Sequence, residues 1–225
     1  MPIKSNLVIK RIFDILISAS GLLVLFPLFI FIGISILIDD YGPVFFKHKR
    51  IGRGGKPFYM YKFRTMRALE NKEDGLFGPG DFNSVTKLGK FLRRTKINEI
   101  PQLINVLKGE MSLVGPRPEV EKWVAIYPER WSKVLTVRPG ITDKASIFYW
   151  NEEYILEGSG DQERTYREII LPKKLDIYED YVENCSLSND IRLILATASI
   201  FLFRNGNSRI KLETKHSYSD IVSPV

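Results

Sequence analysis

Apolar and polar residues alternate in different rhythms along the chain. From Ile15 to Ile38, "ILISASGLLVLFPLFIFIGISILI", no charge interrupts the apolar run. That length suffices to cross a hydrocarbon core of roughly 30 Å. It is too long for a signal-peptide core and lacks a small-residue cleavage pattern after it, so it is expected to be retained. Pro27 lies near its middle, where a ring in place of an N–H breaks one helical hydrogen bond. Lys4, Lys10 and Arg11 precede the run, and Lys47, Lys49, Arg50, Arg53 and Lys56 follow it. Cytoplasmic flanks collect Lys and Arg, and here both flanks qualify. A segment that dips in, bends at Pro27 and returns to the same face satisfies both features, as half-helices over 15–26 and 28–38. A kinked span stays open beside it, because membrane helices tolerate proline.

Past Asp39 and Asp40 the pattern turns mixed. Pro57 to Met66 alternates, with Tyr59, Tyr61 and Phe63 on one face and Lys62 and Arg64 on the other, which predicts a strand. The basic glycine turn "RIGRGGKP" ahead of it predicts a hairpin pairing 44–49 with 58–66. A flexible loop is expected over 71–84. A short basic helix follows over 87–95, with Leu88, Phe91 and Leu92 inward and Lys90, Arg93 and Arg94 outward.

Ile100, Leu103, Ile104 and Leu107 recur at helical spacing, with Asn98 as N-cap, Glu99 against the positive helix end and Gly109 as the stop. A further helix spans 171–184 with Leu175, Tyr178 and Val182 inward. The last, 186–206, is capped by Ser188 or Asn189 and apolar nearly all round, so it reads as a core helix or one lying in the membrane interface. Residues 207–225 read as a flexible tail. The fold class is α+β, mostly helical with a small β-hairpin or sheet, a re-entrant N-terminal membrane helix and interfacial amphipathic helices. The domains are 1–40 (membrane helix), 41–206 (soluble domain) and 207–225 (tail).

Composition narrows the chemistry. The 225 residues include 33 Lys and Arg against 26 Asp and Glu, a formal charge of +7 that favours anionic partners. One cysteine, Cys185, excludes an internal disulfide, and with His48 and His216 as the two histidines a zinc site is not expected. Any metal would be a hard ion on oxygen ligands, such as Mg²⁺. Nucleic acid is not expected as a partner, since aromatic and basic residues do not interleave for base stacking.

The candidate chemistry is a phosphate cage. In "SLVGPRPE" two prolines hold Arg117 extended, and "TVRPGITD" repeats the device at Arg138. A rigidly presented guanidinium suits bidentate phosphate binding. Lys62 and Arg64 on the strand, with Arg93 and Arg94 on the basic helix, complete a set of cations that could hold a diphosphate. A solvated basic face remains the alternative for the strand pair.

The motifs "KRIFD", "YKFRTM", "LRRT", "EIPQLINVLKGEMSLVGPRP" and "VRPGIT" together resemble those of the bacterial sugar transferases, small monotopic phosphoglycosyl transferases, from about Lys10 to about Arg204. The resemblance implies transfer of a sugar 1-phosphate from a nucleotide diphosphate sugar, usually a UDP-sugar, to polyprenyl phosphate. UMP is released and Mg²⁺ is required, in the first membrane step of surface-glycan assembly. It implies an enzyme on the cytoplasmic face of the bacterial inner membrane and a helix bent at Pro27. Apart from the resemblance, a homodimer is a further partner expectation. Lys62, Arg64, Arg93, Arg117 and Arg138 become the expected phosphate contacts, and Asn98 and Glu99 the catalytic pair, with Glu99 as the metal contact.

The resemblance breaks at the catalytic pair. Well-studied members carry Asp-Glu, the Asp being the nucleophile, where this chain has Asn98-Glu99. A neutral amide cannot form an acyl phosphate as a carboxylate does. Glu110, Phe26, His48 and the stretch "GITDKASIFYWNEE" also depart from the usual pattern. Three readings follow: an active enzyme using Glu99 as nucleophile or base, a silenced relative serving as a membrane-bound binding or regulatory partner, and a membrane-surface binding module. Residues 143–165, with Asn151, Glu152 and Glu153, are the expected sugar-discriminating loop.

Overall fold

The computed structural model describes residues 4–67, 84–149 and 152–203. The 71–84 loop, except Ser84, the tail and Asn151 lie outside them.

The apolar run forms one helix, α1 (Lys4–Asp39), which continues through Pro27. The two half-helices expected from the sequence are thus one element. One face of it carries the buried positions Asp14, Ser18, Ile32 and Ile36, while Leu23, Val24, Phe26, Ile30 and Phe31 stand exposed on the other. The spacing is that of a single helical stripe. Its two ends are fastened to the same body. Near the start, Lys10 pairs with Asp190 at 2.5 Å and donates to the Val114 carbonyl at 3.0 Å. Near the end, Ile32 and Ile36 pack with Phe63 and Leu92, and Arg64 holds Asp40 at 3.1 Å. Packing at both ends keeps the helix whole although Pro27 removes one of its bonds.

Strands β1 (Phe45–Ile51) and β2 (Pro57–Phe63) form the expected antiparallel hairpin, in the register His48 opposite Met60 and Arg50 opposite Phe58. Both faces of β2 bury residues. Phe58 and Met60 are buried on the side of Lys62; on the other, Tyr59 is 56% exposed while Phe63 is buried against Phe29. Tyr61 instead accepts a hydrogen bond from Lys108, whose Nζ also lies 4.6 Å from the ring centroid.

Helix α2 (Lys87–Arg94) is capped by Thr86, whose side chain accepts from the Gly89 N–H. Leu92 is buried, but Phe91 is exposed, correcting its expected inward position. A short 3₁₀ turn, Ile97–Glu99, then leads to α3 (Gln102–Lys108). The expected cap at Asn98 does not form. Lys96 adopts a left-handed conformation at φ 55°, and α3 begins only after Pro101. Nor does α3 bury the expected apolar set alone: Gln102, Asn105 and Val106 are its buried residues, while Leu107 is 37% exposed.

Beyond Gly109 lie elements the periodicity does not reveal. Strands β3 (Ser112–Val114) and β4 (Gly140–Thr142) pair in parallel. Each is too short to show a period. A Cβ at Gly140 would overlap the Gly115 backbone, and one at Gly115 would meet the Arg138 carbonyl. The close crossing of these chains therefore demands glycine at both positions.

Helices α4 (Glu121–Val124), α5 (Pro128–Val134), α6 (Lys144–Phe148), α7 (Glu152–Glu157) and α8 (Gln162–Thr165) follow. A π-helical turn, Tyr166–Ile170, runs into α9 (Leu171–Glu183). Trp131, Ile170, Leu171, Leu175 and Tyr178 make the core of this half. Helix α10 (Leu187–Phe203) starts from Ser186, whose hydroxyl accepts from the Asn189 N–H at 3.4 Å, and not from Ser188 or Asn189. It packs Leu193 and Ile194 inward and exposes Ile191 and Leu195.

Candidate active site

The site begins with Asn105. Buried on α3, it donates from Nδ2 to the Tyr59 carbonyl at 2.7 Å and accepts the Tyr61 N–H at 2.9 Å, as a neighbouring strand would. Glu110 steadies the amide by accepting its second N–H at 2.7 Å. These bonds fix α3 against the edge of β2. The turn just before α3 therefore sits over Lys62.

Glu99, on that turn, is the centre of the site. Lys62 Nζ donates to its Oε1 at 2.8 Å. Arg117 grips the carboxylate as a fork, Nη2 to Oε1 at 2.6 Å and Nη1 to Oε2 at 3.2 Å. The side chains are nearly enclosed, at 12% exposure for Glu99, 17% for Lys62 and 27% for Arg117. Pro116 and Pro118 on either side are themselves buried, which explains how the guanidinium is held.

Electrostatics follow from this enclosure. Burial alone would raise the Glu99 pKa, but Arg117 and Lys62 outweigh it and hold the carboxyl well below the usual range. Burial lowers Lys62 to about 8, against the opposing pull of Glu99. The Glu99 carboxylate keeps the Arg117 guanidinium firmly protonated. Next to this trio, Arg50 pairs with Glu119 at 3.0 Å, and Tyr166 donates to the same carboxylate at 2.5 Å. His48 is held neutral, pushed down to about 3 by burial and by Arg50 and Lys62.

Several buried polar atoms here have no partner: Asn98 Oδ1, both amide atoms of Gln102 and the Tyr178 hydroxyl. Stranded polar atoms are costly and infrequent in folded proteins. Asn98 adjoins Glu99 in the chain and Tyr178 lies near Arg117, so partnerless polar atoms border the site, as a site built for a polar ligand would leave. Asp143, the first residue of the expected sugar-discriminating loop, also faces Arg117. Burial raises its pKa, and its carboxylate caps α6 by accepting the Ser146 N–H at 2.8 Å.

The other expected residues are dispersed. Arg64 lies one residue past the end of β2, where strand parity no longer governs it, and is spent on Asp40 and the carbonyls of Asp40 and Tyr41. Arg93 donates from Nε to Thr65 Oγ1 at 2.9 Å. Arg138 stands on the far side of β3, donating to the Gly109 carbonyl at 2.8 Å, with Arg11 and Arg53 as its charged neighbours. Within the expected sugar loop, Glu152 pairs with the buried Lys174. The sequence signal for the missed residues was weak but present: His48 and Arg50 alternate on β1, and Glu119 ends the "GPRPE" run.

Among the described residues no three His, Cys, Asp or Glu side chains converge as a metal cluster. Mg²⁺ needs less: it commonly takes one or two carboxylates and completes its shell with substrate phosphates and water. The carboxylate of Glu99 and the partnerless oxygens of Asn98 and Gln102 are donors of the hard type it prefers, so the residues fit.

The family profile described as bacterial sugar transferase matches residues 5–204. A Bacillus subtilis protein, provisionally named an undecaprenyl-phosphate N-acetylgalactosaminyl 1-phosphate transferase, is 37% identical over 155 residues, which are 69% of this chain and 83% of that protein. A UDP-glucose:undecaprenyl-phosphate glucose-1-phosphate transferase of Xanthomonas campestris is 35% identical over 85% of this chain and 38% of its own length. An undecaprenyl-phosphate galactose phosphotransferase of Salmonella typhimurium is 34% identical over 90% of this chain and 42% of its own. The chain thus spans less than half of the latter two.

Proposed function

The chain belongs to the bacterial sugar transferase family, and on that footing we propose that it moves a sugar 1-phosphate from a UDP-sugar to polyprenyl phosphate, releasing UMP. The observation that carries this is the Glu99 carboxylate held by an Arg117 fork and Lys62 in a nearly enclosed site. Its two oxygens sit where phosphate oxygens would be gripped. An incoming diphosphate competes for Arg117 and Lys62 and frees the carboxylate beside the β-phosphorus. A Glu99 oxygen then bonds to that phosphorus as the bond to the bridging oxygen breaks, its electron pair leaving on UMP. The lipid phosphate attacks the acyl phosphate in turn and restores the carboxylate.

Glu99 serves better as nucleophile than as base. A carboxyl held well below its usual pKa is a weak proton acceptor. The lipid phosphate, with a second pKa near 6, is already largely dianionic at neutral pH and needs no base. Asn98, Gln102 and Glu99 would hold Mg²⁺, which supplies charge neutralisation to the diphosphate. The intact trio and the transferase names of the relatives support catalysis over a binding-only role.

The membrane reading rests on α1. With both ends fastened to one body and its outer face apolar, it is proposed to lie in the cytoplasmic leaflet of the inner membrane, bent at Pro27 so that both ends stay on the same face. Tyr41, Phe91, Ile191 and Leu195, all exposed, would lie at the interface, with α10 as an interfacial helix.

The test is to incubate the protein with a UDP-sugar and Mg²⁺ but no acceptor lipid. A phosphosugar adduct mapping to Glu99 is expected by intact-mass and peptide analysis. An adduct at another residue would overturn this assignment.

A further inference from the structure

A second cationic pocket lies away from Glu99, where α1, the hairpin turn and the loop 136–139 meet. Leu7, Arg11, Asp14, Arg53, Arg138 and Tyr181 are among its lining residues. Each arginine is fixed through backbone carbonyls. Arg11 donates to Val106 at 2.7 Å and Leu107 at 3.1 Å, Arg53 to Thr136 at 3.0 Å, and Arg138 to Gly109 at 2.8 Å. Carbonyls orient a guanidinium without cancelling its charge. Among the described residues none of the three makes an ion pair.

The charges leave a surplus. Lys10, also on the wall, is matched by Asp190. Asp14 is the acid inside the pocket, and its oxygens are taken by Ser112 Oγ at 2.8 Å and the Leu113 N–H at 3.2 Å. Three guanidiniums against Asp14 leave about two positive charges, and among the described residues the Nη groups of Arg53 and Arg138 make no hydrogen bond. That is the charge and donor geometry of a phosphate site. Capping the carbonyl end of α3 explains Arg11, but it does not require Arg53.

The position selects the ligand. Leu7 opens the rim, and the exposed Val8, Ile12 and Leu16 continue from it along the outer face of α1. A phosphate in the pocket would have its acyl chains beside that apolar face. We propose that this pocket holds the phosphate headgroup of a membrane lipid and fixes the depth of the N-terminal end of α1. The inference rests on reading α1 as a membrane helix and is independent of the Glu99 chemistry.

The experiment is native mass spectrometry of the full chain released from phosphatidylcholine bilayers doped with phosphatidylglycerol, or with polyprenyl phosphate. The parent is expected to retain a phosphate-headed anionic lipid over phosphatidylcholine. Arg53→Gln and Arg138→Gln should each lower retention about tenfold, the scale of one charge-assisted bond. Lys122→Gln, removing equal charge from the exposed pair with Glu163, should not. Whichever anionic lipid is retained identifies the source. UMP release by Arg53→Gln in detergent, expected unchanged, shows that the variant is folded and separates this outcome from failure of the transferase reading. Equal retention by the arginine variants and the parent would overturn the proposal, as would displacement of the lipid by inorganic phosphate at comparable concentration.

Discussion

At the scale of single residues, the site is a competition between a carboxylate and a phosphate for the same cations. Arg117 meets Glu99 through two N–H groups, a geometry lysine cannot copy. Arg117→Lys is therefore expected to lower kcat/KM for the UDP-sugar by about 10- to 100-fold, the scale of one lost charged hydrogen bond; a near-normal value in steady-state assays would deny the fork its role. Lys62 gives a pH signature. Its folded pKa of about 8 lies below the ordinary 10.5, so the ammonium that grips phosphate is present below about 8 and lost above it. The logarithm of kcat/KM should fall as pH rises through about 8, and Lys62→Arg should remove that limb. The corresponding stability effect has the opposite sign, since burying the charged amine costs most below pH 8 and relaxes toward 10.5. Lys62 and Arg117 were legible because a strand period and a proline bracket constrain them locally, whereas Glu99 entered through the family resemblance, its local pattern reading only as a helix start. Arg64 and Arg138 were not legible. Which partner each one faces is decided by contacts with Asp40 and Gly109, which no local pattern encodes.

At the scale of elements, the long apolar helix and the hairpin could be read directly, because each repeats its period over many residues. The parallel pair β3 and β4 could not. Three residues apiece carry no period, and their pairing joins segments far apart in the chain. The glycines at the crossing, Gly115 and Gly140, set how closely the two segments approach. Gly140→Ala would place a Cβ against the Gly115 backbone, which has no side chain to swing aside. A destabilisation of about 1–3 kcal/mol or more is expected, seen as a lowered midpoint in denaturant unfolding. An unchanged midpoint would mean that the two loops are less tightly crossed than described. The turn before α3 shows the same limit of local reading. "NEIP" has the composition of a capped helix start, but the left-handed Lys96 and the 3₁₀ turn spend Asn98 on the site, leaving its carbonyl oxygen without a partner.

At the scale of the whole molecule, one face of α1 seals the domain and the other is apolar and bare. Attachment of that kind is hydrophobic, so the protein should leave membranes with detergent and stay with them in high salt; release by salt alone would contradict it. If both flanks lie on one side, cysteines placed at Lys4 and Lys49 should react with an impermeant maleimide from the cytoplasmic side alone. We propose that this chain is an active transferase although Asn98 stands in place of the expected aspartate, because Glu99 supplies the carboxylate. The direct measurement is UMP release from a panel of UDP-sugars with polyprenyl phosphate and Mg²⁺, for the parent, Glu99→Gln and Asn98→Asp. Release by the parent, reduced by about a hundredfold or more in Glu99→Gln, is the expected result for loss of a catalytic nucleophile. No release by the parent with any sugar, and turnover only in Asn98→Asp, would contradict the claim and make this chain a silenced relative that binds.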